Sequence, residues 1–267
     1  MYAILAILAY LSATWLLADD LGASRPPRPW VKILALLGLA LHGITLYTTG
    51  THFGAPNATL FNVLSASGWI IAAVLIGVSL WRNALAPAVI VFPAITLWIM
   101  AAAVVPLRAA PIKGYGLAMN IHILSSLLAY GLLATACLHA MLLSIQERML
   151  RRHQPRPWMQ ALPPLTASEN LLFQLIAGGW LALSLALGSG LLFVHDLFAQ
   201  HLAHKTVLSI IAWFVFTALL WGRWRHGWRG RKALYWTLSG VIFLLLAYFG
   251  SKLVLELVLN RSWQNTL

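Results

Sequence analysis

The sequence is poor in acid. Asp19, Asp20, Glu147, Glu169, Asp196 and Glu256 are the six carboxylates in 267 residues. With so few carboxylates no acid/base pair for hydrolysis is legible, and no serine triad either. No HExxH and no paired-cysteine motif is present, which leaves no zinc signature. Cys137 stands alone and excludes an internal disulfide, and the lack of CxxCH excludes a covalent c-type haem on this chain. Charged residues make up 9% of the chain, where a soluble protein carries about 25%. Such a chain cannot clothe a surface facing water, so its solvent is lipid. Ten-residue segments of alternating polarity are also missing, which excludes a membrane β-barrel.

What the sequence has is long apolar runs. A bilayer core takes about 20 apolar residues per helix. By that length the chain holds eight spans: Met1–Leu17, Val31–Thr49, Asn62–Trp81, Pro87–Val105, Ile121–Ile145, Asn170–Val194, Lys205–Trp221 and Ala233–Gly250. The expected fold is therefore an all-α, polytopic membrane bundle of eight transmembrane helices, with residues 1–267 as a single integral-membrane domain. Charge and proline collect between the runs, as in "DDLGASRPPRPW" and "GRWRHGWRGRK". The first run lacks a positive n-region and is followed by Arg25, Arg28 and Lys32, so it reads as a retained helix rather than a secretory signal. Pro93 is expected to kink the fourth span.

The net charge of +12 raises the question of nucleic acid. Twelve of the 18 lysines and arginines fall in the loops after the odd-numbered spans, and Lys32 at the adjoining end of the second span makes thirteen on that side. That asymmetry is a topological signal: it places those loops in the cytoplasm and both termini on the periplasmic side. The basic excess then matches anionic lipid headgroups. No soluble part remains to bind nucleic acid, so membrane lipids are the expected partners.

Topology assigns depths to the nine histidines. His122 opens the fifth span on the outer side, His195 closes the sixth there, and His201 and His204 follow in the same loop; His52 lies in the outer loop after the second span. His42 lies 11 residues past Val31, about 16 Å along a helix and near mid-membrane. Imidazole ligates haem iron, zinc and copper, and it relays protons in membranes. His52, His201 and His204 read equally well as polar loop residues. His153 and His226 read as headgroup-level residues among arginines, and His139 as a core histidine bonded to a neighbouring carbonyl. His42 resists such a reading, because a polar group deep in lipid is costly without a partner, and His122 and His195 resist it because they lie at helix ends facing one compartment. Asp196 either orients His195 or is a helix-end charge in water, and Lys252 is expected to pair with Glu256. Haem suits the pattern better than a bare metal, since it needs wide apolar walls. Trp69, Trp98, Trp180 and Trp213 are available as aromatic neighbours, or serve as interface anchors. Ser184, Gly188 and Gly190 allow close helix packing or reflect ordinary membrane composition, the second being favoured.

The stretches "NIHILSSLLAYGLLA" (120–134), "ENLLFQLIAGGWLALSLALGSGLLFVHDLF" (169–198) and "HKTVLSIIAW…GWRGRKALYW…YFGSK" (204–252) resemble the cytochrome c assembly membrane family. That family includes the CcsA and CcmC haem-handling proteins, and the nearest subgroup is that of the HemX-like and YpjD-like inner-membrane proteins. The resemblance implies a bacterial inner-membrane location and a non-covalent, b-type haem near the periplasmic face. It also implies partners among haem-pathway or cytochrome c maturation proteins. His122 matches the family's outer histidine by position, and His42 corresponds to an early intramembrane histidine. The chain departs from the family at three places. The loop expected to carry WGxxWxWD reads "HDLFAQHLAHKT", no histidine follows His226, and "LLWGR" stands where a later intramembrane histidine belongs. His195 or His204 is the expected replacement for the missing outer ligand. No reaction is expected of this chain alone. Two further functions stay open: transport of a transition metal or protons, and regulation of the tetrapyrrole pathway without haem delivery.

Overall fold

The computed structural model describes residues 1–51, 60–104, 117–154, 156–193 and 203–250. The expected spans appear as helices: α1 (Tyr2–Gly22), α2 (Pro29–Thr51), α3 (Leu60–Trp81), α4 (Ala88–Val104), α5 (Leu117–Arg151), α6 (Leu165–Phe193), α7 (Ala203–His226) and α8 (Arg231–Leu245). A 3-10 turn (Pro157–Ala161) precedes α6, and a π-turn (Leu246–Gly250) continues α8. No strand occurs among the described residues. Helix is the form that satisfies every backbone N–H and C=O within one lipid-embedded segment. Seven of the helices, α8 taken together with its π-turn, are long and apolar enough to cross a membrane; α4, with 17 residues, is shorter. It runs on through Pro93.

Several helices outrun the apolar runs that announced them. Hydropathy marks the lipid-facing stretch, whereas a helix ends where its last carbonyls find other partners. Helix α5 continues six residues past Ile145 to Arg151, where Arg151 pairs with Glu147 one turn back at 2.6 Å and Arg148 and Arg151 lie in the last turn, where the helix dipole favours cations. Helix α1 continues to Gly22 because its last acids are engaged. The Asp20 carboxylate is fully buried and accepts from Arg25 Nε at 2.8 Å and from the Arg28 backbone N–H at 2.9 Å. Arg28 Nε stands 2.7 Å from Asp20 Oδ1, an ion pair without hydrogen-bond alignment. Asp19 takes the outer nitrogens of both arginines at 2.7 Å. The carboxylates beside it, Asp20 foremost, hold the Arg28 guanidinium above its ordinary value.

The chain divides into two compact units, Met1–Ile112 with Ile145–Ser168, and Lys113–Ser144 with Glu169–Leu267. In the first, α1 packs on α2 and α4, and α3 on α4 and α2. Tyr10, Leu17, Leu75, Ile76, Phe92 and Ile95 form its buried centre. The Tyr10 ring lies against Gly38, where a Cβ would stand 3.0 Å from it, so α1 and α2 meet closely only because that position is glycine. Asn83 Nδ2 donates to the Ala161 carbonyl at 2.9 Å and ties the end of α3 to the 3-10 turn.

In the second unit, α7 packs on α8 and on the π-turn. Polar side chains stitch its helices. Trp180 Nε1 donates to Thr217 Oγ1 and Trp213 Nε1 to Ser184 Oγ, both at 2.8 Å, with the two indoles stacked at 5.7 Å. Tyr130 donates to the Leu244 carbonyl at 2.8 Å. In lipid the surroundings are as apolar as the side chains, so such bonds and close packing hold helices together. Trp69, which donates to the Leu39 carbonyl at 2.8 Å, does the same between α3 and α2. These three tryptophans join helices, and Ser184 receives one of them, where sequence alone favoured ordinary composition.

Candidate functional site

His122 stands in the second turn of α5, in the second unit, partly exposed. Its Nδ1 lies 2.9 Å from the Ala186 carbonyl oxygen of α6 and 3.3 Å from Ser189 Oγ. A carbonyl only accepts, so in the neutral ring the proton sits on Nδ1 and the lone pair on Nε2. No hydrogen bond among the described residues occupies Nε2. Ser189 Oγ donates to the same Ala186 oxygen at 3.0 Å, so its hydroxyl proton is not directed at the ring. The ring is seated over Gly190, where a Cβ would stand 3.2 Å from its Cε1 and 3.4 Å from Nδ1. Nδ1–H on a carbonyl with Nε2 open is the arrangement in which a histidine ligates a metal through Nε2.

His42 is different in kind. It belongs to α2 in the first unit and is fully buried. Its Nε2 is 2.9 Å from Ser65 Oγ of α3, and its ring meets the edge of Tyr10 at 6.0 Å between centroids. Its Nδ1 is buried without a partner, as is the Tyr10 hydroxyl. Each unpaired buried polar atom costs about 1–3 kcal/mol. The nitrogen of His42 that points to a neighbour is thus engaged, and the free one is enclosed by protein.

His195, His52 and His201 lie outside the described residues, as do Asp196, Lys252 and Glu256. His204 falls in α7, but its side chain lies outside them too. His139 of α5 is buried, and its Nε2 has no partner; the carbonyl bond expected for it is not made there. His226 is exposed beside Trp228 at 6.4 Å, among arginines as expected. Among the described residues no three His, Cys, Asp or Glu side chains gather to hold a bare metal ion. The described residues therefore fit a haem through one position, His122, with an open Nε2 and a fixed ring. Reading the sequence missed Ala186, Ser189 and Gly190 as its seat, and Tyr10 and Ser65 as the company of His42. Gly190 was in view as a small residue, but nothing tied it to an imidazole on another helix, and Ser189 was not singled out at all.

Comparison with known proteins bears on what this arrangement serves. The family described as Cytochrome C assembly protein matches residues 30–259. The Inner membrane protein YpjD of Escherichia coli strain K12 is 33% identical over 268 residues, covering 96% of this chain and 98% of that protein. The Cytochrome c biogenesis protein CcsA of Rippkaea orientalis is 25% identical over 130 residues, covering 45% of this chain and 38% of that protein. No solved structure matches the chain at a significant level. With its membrane-length helices and its likeness to YpjD along nearly the whole length, the chain is a multi-pass inner-membrane protein. It belongs to the cytochrome c assembly protein family.

Proposed function

We propose that this protein handles haem in the inner membrane: it holds a non-covalent b-type haem near the periplasmic face, with His122 among the residues that would hold the iron. The single observation that carries the reading is the His122 ring, pinned by Nδ1–H on the Ala186 carbonyl with Nε2 left open. The family and the CcsA relative, named for cytochrome c biogenesis, favour haem over a bare metal. In this reading the chain is one integral-membrane domain in which α4 makes the eighth crossing and both termini face the periplasm. His195 or His204 supplies the second outer ligand. His42 is the inner candidate and would have to leave Ser65 or ligate through Nδ1. Partners are haem-pathway or cytochrome c maturation proteins.

Bound haem supplies an iron centre for transfer to an acceptor or for electron exchange. The chain's part is positional. The Ala186 carbonyl keeps the proton on Nδ1, which makes Nε2 the more basic face. Gly190 leaves room for the ring to lie on α6. The apolar helices exclude water. The chain itself has no legible acid/base pair, so it is read as a carrier and not as a catalyst.

Absorption spectra of the purified protein, oxidised and reduced, test this. A Soret band is expected, lost or strongly weakened in His122→Ala and weakened in His195→Ala. A colourless protein from haem-replete cells that added haemin does not restore would end the reading, as would a His122→Ala variant with an unchanged spectrum.

A further inference from the structure

The turn between α7 and α8 is built, not merely basic. At Gly222 a Cβ would collide with the Trp228 indole, so the ring folds back onto the last turns of α7 only because that residue is glycine. The Trp228 N–H donates to the Gly222 carbonyl, and the Gly227 N–H to that of Arg223, both at 3.1 Å. Gly227, at φ +64°, takes the left-handed conformation that closes the helix. Arg223 is used up inside. Its guanidinium pairs with Glu169 at the start of α6, lies 4.6 Å over the Phe173 ring and reaches the Trp228 carbonyl at 3.4 Å.

The remaining cations point outward. Arg225, Arg229, Arg231 and Lys232 are exposed, and no acid among the described residues pairs with them. Between Asp196 and Glu256 the sequence has no carboxylate at all. Lys232 Nζ stands 5.7 Å over the Trp228 ring, so the indole also steadies one of the four. The depth of this cluster follows from its neighbours. Helices α7 and α8 are both of membrane length, and the turn lies where their apolar stretches stop. Trp221 and Trp224, exposed and edge to face at 5.6 Å, flank it with rings of the type that settle at headgroup level.

We propose that the α7–α8 turn is a binding site for the phosphate headgroup of an anionic phospholipid. It is distinct from the histidine site and does not depend on haem. Four cations in eight residues face phosphates at the same depth, and the tryptophans take the adjoining glycerol and acyl region. An orientation signal needs charge alone. Here the backbone bonds, Arg223 and Trp228 also fix the turn that carries the charges, and a fixed turn offers one headgroup a defined seat rather than a diffuse field.

Native mass spectrometry of the full-length, delipidated protein with lipids added back would test the site. The probes are phosphatidylglycerol, cardiolipin and phosphatidylcholine, with inorganic phosphate as the soluble competitor. The wild type should retain the anionic lipids and release phosphatidylcholine. The R225Q/R229Q/R231Q/K232Q variant should bind anionic lipid about tenfold or more weakly. The R148Q/R151Q/R152Q/R156Q variant, equal in charge change but on the α5 side, should retain most of it. Trp228→Ala keeps every charge and should still weaken binding several-fold, and it serves should the quadruple variant fail to insert. Equal losses in the two quadruple variants would overturn the proposal. So would unchanged binding in Trp228→Ala, retention of phosphatidylcholine as strong as that of the anionic lipids, or full displacement by millimolar phosphate. A soluble polyanion such as RNA that binds the turn more tightly than anionic lipid would overturn it as well.

Discussion

Gly190 is the position at which the histidine site is most open to test, because it touches the ring without being a ligand. A Cβ there stands 3.2 Å from His122 Cε1 and 3.4 Å from Nδ1. Ordinary carbon contacts begin near 3.5 Å, so Gly190→Ala displaces the ring by a few tenths of an ångström. The Nδ1–H bond to Ala186, now 2.9 Å, stretches toward the outer end of the hydrogen-bond range. Gly190→Val adds methyl groups that the ring cannot clear without leaving the carbonyl. Loss of one such bond is worth about 0.5–1.5 kcal/mol, or roughly two- to twelvefold in affinity. The expected order of haemin affinity is wild type, then Gly190→Ala at roughly two- to fivefold weaker, then Gly190→Val at about tenfold, with His122→Ala weakest.

Gly188 supplies the control. It lies half a turn away on the same helix, and nothing stands within 4 Å of where its Cβ would be. Gly188→Ala should change nothing. Haemin titration followed by absorbance reads the affinities. Nitrogen NMR of histidine-labelled protein without haem reads the tautomer directly, and the Nδ1–H form of His122 should lose population in Gly190→Val. If Gly190→Val binds haemin within twofold of wild type while His122→Ala fails, α6 does not set the ring, and the reasoning from Ala186 is wrong. If the tautomer population also stays put, the described seat of the ring is wrong as well.

The other expectations concern the frame. Asp20→Ala leaves the Arg28 N–H and two guanidinium groups without their buried acceptor; Arg25 and Arg28 are 46% and 37% exposed and can rehydrate, so the loss is about 1–3 kcal/mol rather than the full cost of breaking a buried pair. Asp19→Ala, at a half-exposed carboxylate, should cost under about 1 kcal/mol, and thermal unfolding in one detergent ranks the two. Tyr10→Phe removes a buried hydroxyl that has no partner and should be neutral or stabilising, so a loss above about 1 kcal/mol would reveal a partner for it. Trp213→Phe keeps the stack on Trp180 but drops the bond to Ser184, and a loss of about 0.5–1.7 kcal/mol is expected.

Depth along each helix was legible in the sequence, and direction around it was not. The apolar runs mark where the helices lie, and counting from their ends placed His42 within a helix and His122 near the start of one. Helices apolar on nearly every side show no face, since lipid and protein neighbours draw on the same residues. The partner of His122 is a backbone carbonyl on α6, and a carbonyl has no letter in the sequence. Tyr10 was passed over for the same reason: an aromatic ring in an apolar run looks like core until Gly38, His42 and Phe92 are seen around it. The helix ends were hidden because Asp20, Glu147 and Arg223 act through partners that hydropathy does not weigh. One kind of trace did survive. Gly38 faces Tyr10, Gly190 faces His122 and Gly222 faces Trp228, so at each of these places a ring on one segment meets a glycine on another. Azimuth in a uniformly apolar helix is written in the size of residues rather than in their polarity. A small residue near the level of a ring on another segment is therefore the pairing to seek first when the next such sequence is read.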